Sequence, residues 1–86
     1  MQLTTEQMDV LDAMALDGDD LTEDEIMDAA QLSQAAVMRV LWQLRDAGYV
    51  TELTAEDDGR TVWMILPAGT RAFEQRRDEL EERGAW

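Results

Sequence analysis

The sequence predicts a mainly α-helical domain with one small β-hairpin, an α+β fold formed by a single chain of 86 residues. Residues 33–50 have the pattern of a capped helix that ends at a glycine and turns directly into a strand. A second strand-forming run follows an acidic turn, and a charged segment with helical spacing closes the chain. We therefore expect a single domain over residues 1–86, with helices at about 5–16, 23–30 and 34–47, a hairpin at about 49–66 and a last helix at about 68–83.

The first two helices are predicted from their start signals. Thr4 or Thr5 can cap the first helix, because a hydroxyl oxygen accepts a backbone N–H that lacks a partner in the first turn. Its apolar stripe consists of Met8, Leu11, Met14 and Ala15. Thr22 and Glu25 form a capping box, which opens a short second helix that ends in a turn before Ser33.

The third helix is predicted to begin after the cap Ser33 and to end at Gly48, where a left-handed backbone costs least. Its inner face repeats apolar residues at spacings of three and four: Val37, Val40, Leu41, Leu44 and Ala47. Its outer face consists of Gln34, Ala35, Met38, Arg39, Trp42 and Arg45. Two helices joined by a short turn have helix-turn-helix spacing, and a hairpin after them completes a winged helix-turn-helix: three helices, a two-stranded wing and a C-terminal helix. We expect the function on the outer face.

Composition excludes most enzyme chemistry. The chain has no cysteine and no histidine, so disulfides, the usual zinc sites and the usual general base are all ruled out. The paired carboxylates of Asp19 and Asp20 fall in a predicted turn without an accompanying base or metal-ligand set. We expect no enzyme activity, no metal and no cofactor. No apolar run reaches the length of a membrane span and no leader precedes Leu3, so a cytoplasmic location is expected.

The charge balance is strongly acidic, with 20 acidic residues, seven arginines, no lysine and a formal net charge of -13. Acid enrichment with lysine depletion resembles proteins of salt-accumulating haloarchaea, whose carboxylates keep the surface hydrated. Alternatively, an acidic domain avoids nucleic acid and binds proteins. A GC-rich genome also explains arginine in place of lysine. These interpretations stay open from the sequence.

Three segments resemble a known family in order and spacing. Residues 33–50 resemble the recognition-helix segment of winged helix-turn-helix transcriptional regulators of the MarR and PadR type, with serine, valine and arginine followed by a leucine-rich stretch that ends in glycine, an apolar residue and valine. Residues 57–60 resemble their wing tip, and residues 65–69 resemble the start of the following helix. The likeness covers about residues 21–73 and implies a sequence-specific DNA-binding transcriptional regulator.

The resemblance also implies a DNA interface by position. Helix 34–47 would enter the major groove of duplex DNA and the 55–60 wing would lie alongside. The implied DNA-binding residues are the cap Ser33, then Gln34, Ala35, Met38 and Arg39 facing the major groove, Trp42 at a position where a basic residue often holds phosphate, Gln43 and Arg45 near phosphate, and Arg60 near the minor groove. The alternative for Arg39 and Arg45 is a pair of surface arginines near Asp46 or Glu52.

A second copy of the chain is the other expected partner. The sequence favours a homodimer, with Phe73 and Leu80 of the last helix, or Trp86 beyond it, at the seam. Alternatively the hairpin makes the seam, because Val62 and Met64 alternate with Trp63 and Ile65 and so give one strand two apolar faces.

Met38 and Trp42 depart from the family pattern. They form an apolar pair one helical turn apart on the outer face, where such pairs more often mark protein contact than base contact. The alternative function is therefore an acidic winged-helix protein-protein interaction module, or a DNA mimic, that uses Met38 and Trp42.

Overall fold

A computed structural model describes residues 2–17, 20–54 and 59–84. Within these ranges the chain forms three helices, a two-stranded antiparallel sheet and a fourth helix, in the order predicted for a winged helix-turn-helix. The elements are α1 (Thr5–Asp17), α2 (Glu23–Ala30), α3 (Gln34–Asp46), β1 (Val50–Thr54), β2 (Thr61–Ile65) and α4 (Pro67–Glu82). No helix in these ranges has the length and apolar character needed to cross a membrane.

The first three helices begin at side-chain caps. The hydroxyl of Thr22 accepts from the backbone N–H of Glu25 at 3.3 Å and the Glu25 carboxylate accepts from the backbone N–H of Thr22 at 3.0 Å, which confirms the predicted capping box. Ser33 caps α3 by accepting from the backbone N–H of Ala36 at 3.2 Å. These bonds satisfy N–H groups that would otherwise have no partner in the first turn.

α1 begins at a second reciprocal cap. The Thr4 hydroxyl accepts from the backbone N–H of Gln7 at 3.2 Å, and the backbone N–H of Thr4 donates to Gln7 Oε1 at 2.9 Å. Thr4 was one of the two caps predicted for α1, whereas the part played by Gln7 was not predicted. Its signal was present, because a threonine followed three residues later by glutamine is the capping-box pattern.

α1 lies at the centre of the core, against α2, α3, α4 and β2. The predicted stripe is correct for Met8, Leu11 and Met14, which are buried, but wrong for Ala15, which is exposed. Val10 is buried instead. A helix packed by neighbours on several sides buries a wider arc than one amphipathic stripe predicts. The other large core side chains are Leu3, Leu21, Ile26, Val37, Val40, Leu41, Leu44, Val50, Trp63 and Phe73.

The sheet is tied to the helices by a contact that the sequence did not predict. Val50 pairs with Ile65 and Glu52 with Trp63 in the antiparallel register of the hairpin. Leu21, in the connection between α1 and α2, forms an isolated antiparallel bridge with Trp63 through two backbone hydrogen bonds of 3.0 and 2.7 Å. The hairpin is therefore fixed to the helix-turn-helix through both its backbone and the buried Trp63 side chain.

A close backbone approach joins α3, the hairpin and α4. The backbone N–H of Leu66 donates to the Tyr49 carbonyl at 2.9 Å, and Leu66 caps α4 without a side-chain bond while Pro67 occupies the first turn. A Cβ atom at Gly69 would overlap the same Tyr49 carbonyl oxygen. Only glycine fits at this position, which fixes where α4 leaves the wing.

Candidate nucleic-acid interface

The two faces of α3 differ sharply in exposure. Val37, Val40, Leu41 and Leu44 on the inner face are at most 1% exposed. The side chains expected near DNA lie on the opposite side, where Met38 is half-buried and the exposed residues are Ser33, Gln34, Ala35, Arg39, Trp42, Gln43 and Arg45. α3 therefore presents a surface whose backbone is fixed by a fully buried face.

Arg39 is held by a carboxylate from α1. Its Nη2 donates to both carboxylate oxygens of Glu6, at 3.0 and 3.1 Å. Neither Asp46 nor Glu52, the partners considered from the sequence, is the partner that the structure shows. The two side chains keep about half of their surface in solvent, at 57% for Arg39 and 45% for Glu6. Arg39 thus lies on the outer face, with its charge neutralised locally.

Arg45 lies in a cluster with aromatic and acidic side chains. Its guanidinium lies 4.8 Å from the centre of the Trp42 ring, and its Nη2 lies 3.5 Å from a carboxylate oxygen of Glu52. The Trp42 ring meets Trp63 edge to face, with 6.1 Å between ring centres. The sequence interpretation of Arg45 as a surface arginine paired with Glu52 is the arrangement that the structure shows.

Gln43 is bonded inward. Its Oε1 accepts from Nε2 of the buried Gln7 at 3.0 Å, so the cap of α1 and the middle of α3 share one side-chain hydrogen bond. Gln7 would otherwise bury an amide without a partner, which costs stability. Gln43 was expected near phosphate; the structure shows its amide oxygen linking two helices, while the side chain remains exposed.

Arg60 lies immediately before β2, beside the first turn of α2. Thr22, Glu23 and Asp24 line with it an open cleft of about 280 Å³. The pKa of Glu25 is held below its usual range by hydrogen bonds from Thr22, with a smaller effect from the charge of Arg60. Residues 55–58 of the expected wing tip lie outside the described residues.

The residues expected at a dimer seam on the last helix are mostly turned inward. Phe73 is 3% exposed and belongs to the core of the domain, so its assignment to a seam is wrong. Its position in an amphipathic helix did not distinguish the domain's own core from an interface. Leu80 is half-buried against the same core, and Trp86 lies outside the described residues.

The hairpin has the second apolar face that the sequence predicted. Trp63 is buried towards the helices, whereas Val62 and Met64 point to the opposite side of the sheet and are half-buried. Leu53 pairs with Val62 on that side and is 41% exposed. This face of the wing is therefore apolar and partly open to solvent.

Metal and pocket chemistry add little to this surface. Within the ranges that the structure describes, no group of three or more histidine, cysteine, aspartate or glutamate side chains could hold a metal ion. The carboxylate of Asp20 is exposed, and Asp19 lies outside these ranges.

Two residues of α1 that the sequence did not mark as part of the site are Glu6 and Gln7. Glu6 bonds to Arg39 and Gln7 bonds to Gln43, each across more than thirty positions of the chain.

The comparisons with known proteins agree with this architecture. A model of the MarR family matches residues 1–61. No curated protein sequence matches the chain. Among solved structures, PcaV from Streptomyces coelicolor in complex with its natural ligand is similar with a TM-score of 0.88 and 18% identity. A MarR family transcriptional regulator from Silicibacter pomeroyi gives 0.82 and 21%, and the MepR–DNA complex of S. aureus gives 0.79 and 23%.

These structures cover nearly all of the chain but are longer than it. The aligned share of this chain is 94%, 93% and 95% for the PcaV, Silicibacter pomeroyi and MepR structures. The chain in turn spans 57%, 53% and 60% of their lengths. The likeness therefore confirms the winged helix-turn-helix fold of the chain.

Proposed function

The chain belongs to the MarR family, and on that premise we propose that it is a sequence-specific DNA-binding transcriptional regulator. α3 enters the major groove of duplex DNA and the wing lies alongside the neighbouring minor groove. The observation that carries the proposal is the exposed outer face of α3, the second helix of a helix-turn-helix, backed by an inner face at most 1% exposed. One of the similar structures is a MepR–DNA complex.

The N-terminal half of the outer face has the chemistry to read bases. The exposed Gln34 amide suits the N6 and N7 atoms of adenine, and the Arg39 guanidinium suits O6 and N7 of guanine. Ala35 and Met38 offer apolar contact to a thymine methyl group. Ser33 holds the first turn in place through its bond to Ala36. We assign base readout to this half of the face.

The C-terminal half of the outer face holds α3 against its neighbours and does not read bases. Gln43 is bonded to Gln7, and Arg45 is paired with Glu52 and lies over Trp42. Trp42 in turn packs on Trp63 at the base of the wing. These contacts set the angle between α3 and the hairpin, and so the angle at which two elements reach adjacent grooves.

The electrostatics predict an unusual dependence on salt. Phosphate contacts normally supply most of the affinity, and each adds to the fall in affinity with rising salt. Here the net charge is -13, and both arginines of α3 are paired with carboxylates. High salt shortens the range of the repulsion to about 3 Å at 1 M. We therefore propose a shallow salt dependence, which suits a salt-accumulating source.

Operator binding by this domain is proposed to require two copies. A homodimer places two α3 helices in successive major grooves, about 34 Å apart, on a pseudo-palindromic site. The hairpin face with Leu53, Val62 and Met64 is the apolar surface that supports a seam, together with the half-buried Leu80. The proposal places the protein in the cytoplasm with the DNA that it binds.

Selection from a pool of random duplex DNA tests this function. The experiment is run at low salt and at about 2 M potassium chloride, with the oligomeric state measured in the same samples. Enrichment of a two-fold-symmetric site that persists at high salt is the expected result. A folded protein that enriches no sequence at either salt would overturn the proposal.

A second candidate is a protein-interaction module. The observation that favours it is Trp42, which is 44% exposed on a surface whose arginines are already paired. Large aromatic side chains are frequent anchors of protein interfaces. Failure of the DNA selection by a folded protein would turn attention to Met38 and Trp42 as such anchors.

A further inference from the structure

The ion pair between Glu6 and Arg39 connects the first turn of α1 to the base-reading half of the outer face. Both carboxylate oxygens accept from one guanidinium nitrogen, Nη2, at 3.0 and 3.1 Å. More than half of the Arg39 side-chain surface stays in solvent. The remaining N–H groups of the guanidinium fork are thus on an exposed side chain whose charge is already balanced.

Neutralised charge and retained donors have different consequences for DNA binding. Attraction to phosphate depends on net positive charge, because binding releases the counterions that the cation replaces. Readout of guanine depends on two N–H groups that meet O6 and N7. A paired arginine loses most of the attraction to phosphate but keeps the N–H groups that read guanine. Glu6 therefore acts against binding to arbitrary sequence more than against binding to a matched base.

The surroundings of Glu6 strengthen this effect. Asp9 and Asp12 follow it at intervals of three residues along α1. The pKa of Asp9 is raised by burial and further by the charges of Asp12 and Glu6, so these carboxylates lie close enough to repel one another. Of these carboxylates, Glu6 is the one that contacts Arg39, and the negative charge around it opposes any phosphate that approaches without a base contact in place.

We infer that Glu6 is a specificity-determining residue that stays paired with Arg39, suppresses binding to non-specific DNA and leaves the guanidinium fork to read a base. This inference rests on the proposed DNA-binding function. It assigns to α1 a role in recognition, in addition to its role in the core.

The test compares Glu6→Gln with Glu74→Gln, because both remove one negative charge from a glutamate on a helix, half-buried at position 6 and exposed at position 74. Affinity is measured for the selected duplex and for a scrambled duplex over a range of salt concentrations. In Glu6→Gln, affinity for the scrambled duplex at low salt rises about fivefold to tenfold, and the slope of log affinity against log salt steepens by about one. Affinity for the selected duplex changes less than about twofold, so the specificity ratio falls. Glu74→Gln changes both affinities by less than about twofold, because its charge lies away from the interface and is screened.

The double variant Glu6→Gln, Arg39→Ala separates this account from simple repulsion. If Glu6 acts by neutralising Arg39, its removal gives no gain when Arg39 is absent. An equal gain in the Arg39→Ala background, or equal behaviour of Glu6→Gln and Glu74→Gln, would overturn the inference while leaving the proposed function intact. A wild-type protein that selects no DNA sequence overturns both. Denaturation curves confirm that each variant is folded.

Discussion

The inner and outer faces of α3 differ in what holds their side chains: the inner face packs into the core, and the outer face bonds to side chains of α1 and β1. The inner face followed from spacing alone. Its four largest apolar side chains are fully buried as expected, whereas Ala47, predicted on the same face, is exposed because it is the C-cap of α3. The outer face was predicted as a set of exposed side chains, yet its arginines and Gln43 have partners on α1 and β1. Helical periodicity determines which side of a helix is buried, whereas partners in the fold determine which exposed charges remain available.

The largest expected effect is on the free energy of unfolding when a side chain of the inner face is truncated. Leu41→Ala removes a fully buried side chain and is expected to lower the free energy of unfolding by about 3 kcal/mol, since the lost contacts leave a cavity. Urea denaturation at neutral pH measures this. The matched control is Leu16→Ala on α1, which is 80% exposed and should change stability by less than about 0.5 kcal/mol. Equal losses in the two variants would contradict the packing described for α3.

Trp42 sharpens the comparison because it belongs to the outer face but packs on the core residue Trp63. Trp42→Ala is expected to lower the free energy of unfolding by about 1.5 kcal/mol, through loss of the edge-to-face contact and of the buried part of the ring. The same denaturation assay measures it. A loss as large as that of Leu41→Ala would make Trp42 a core residue and leave less reason to assign it to an interface.

The capping box of α2 supplies a smaller and pH-dependent effect. Thr22→Ala should cost about 1 kcal/mol of stability at neutral pH, because it removes the acceptor for the Glu25 N–H and a bond to the Glu25 carboxylate. The pKa of Glu25 is lowered in the folded state by these bonds. Its contribution is therefore present above its unfolded pKa, near 4.5, and is lost as pH falls through the lower folded value.

Stability curves from pH 7 down to about 3 test this linkage. The stability difference between wild type and Glu25→Gln should shrink as pH falls through the folded pKa of Glu25. A difference that stays constant over this range would show that the carboxylate charge contributes nothing to the cap. Glu82→Gln, at an exposed glutamate in the last turn of α4, controls for the change in net charge.

The helix boundaries could be predicted from the sequence because their signals are local. Ser33, Thr22 and Gly48 fixed helix boundaries because caps and a left-handed C′ residue act within a few positions, and Gly48 indeed has φ +80°. Gln31 also adopts a left-handed conformation, with φ +56°, at the end of α2. Nothing in the residue type marked that position, since glutamine rarely adopts this backbone conformation.

Non-local contacts explain what the sequence did not reveal. The Leu21–Trp63 bridge, the Gln7–Gln43 bond and the Glu6–Arg39 pair each join residues more than thirty positions apart. Each depends on how α1 packs against α3 and the hairpin, which no single segment encodes. Phe73 shows the same limit. Helical spacing does not tell whether an apolar side chain is buried by its own domain or by a partner, and the fold shows that its own domain buries Phe73.

The most direct test of the account is the affinity of Arg39→Ala for the selected duplex, with Arg71→Ala on the exposed surface of α4 as the matched control. Arg39→Ala is expected to bind the selected duplex more weakly by about 1 to 3 kcal/mol, because a bidentate contact to guanine is lost. Its free energy of unfolding should change by less than about 0.5 kcal/mol, since an exposed ion pair contributes little. Arg71→Ala should bind as wild type. Wild-type affinity in Arg39→Ala would contradict the claim that this face of α3 reads the bases.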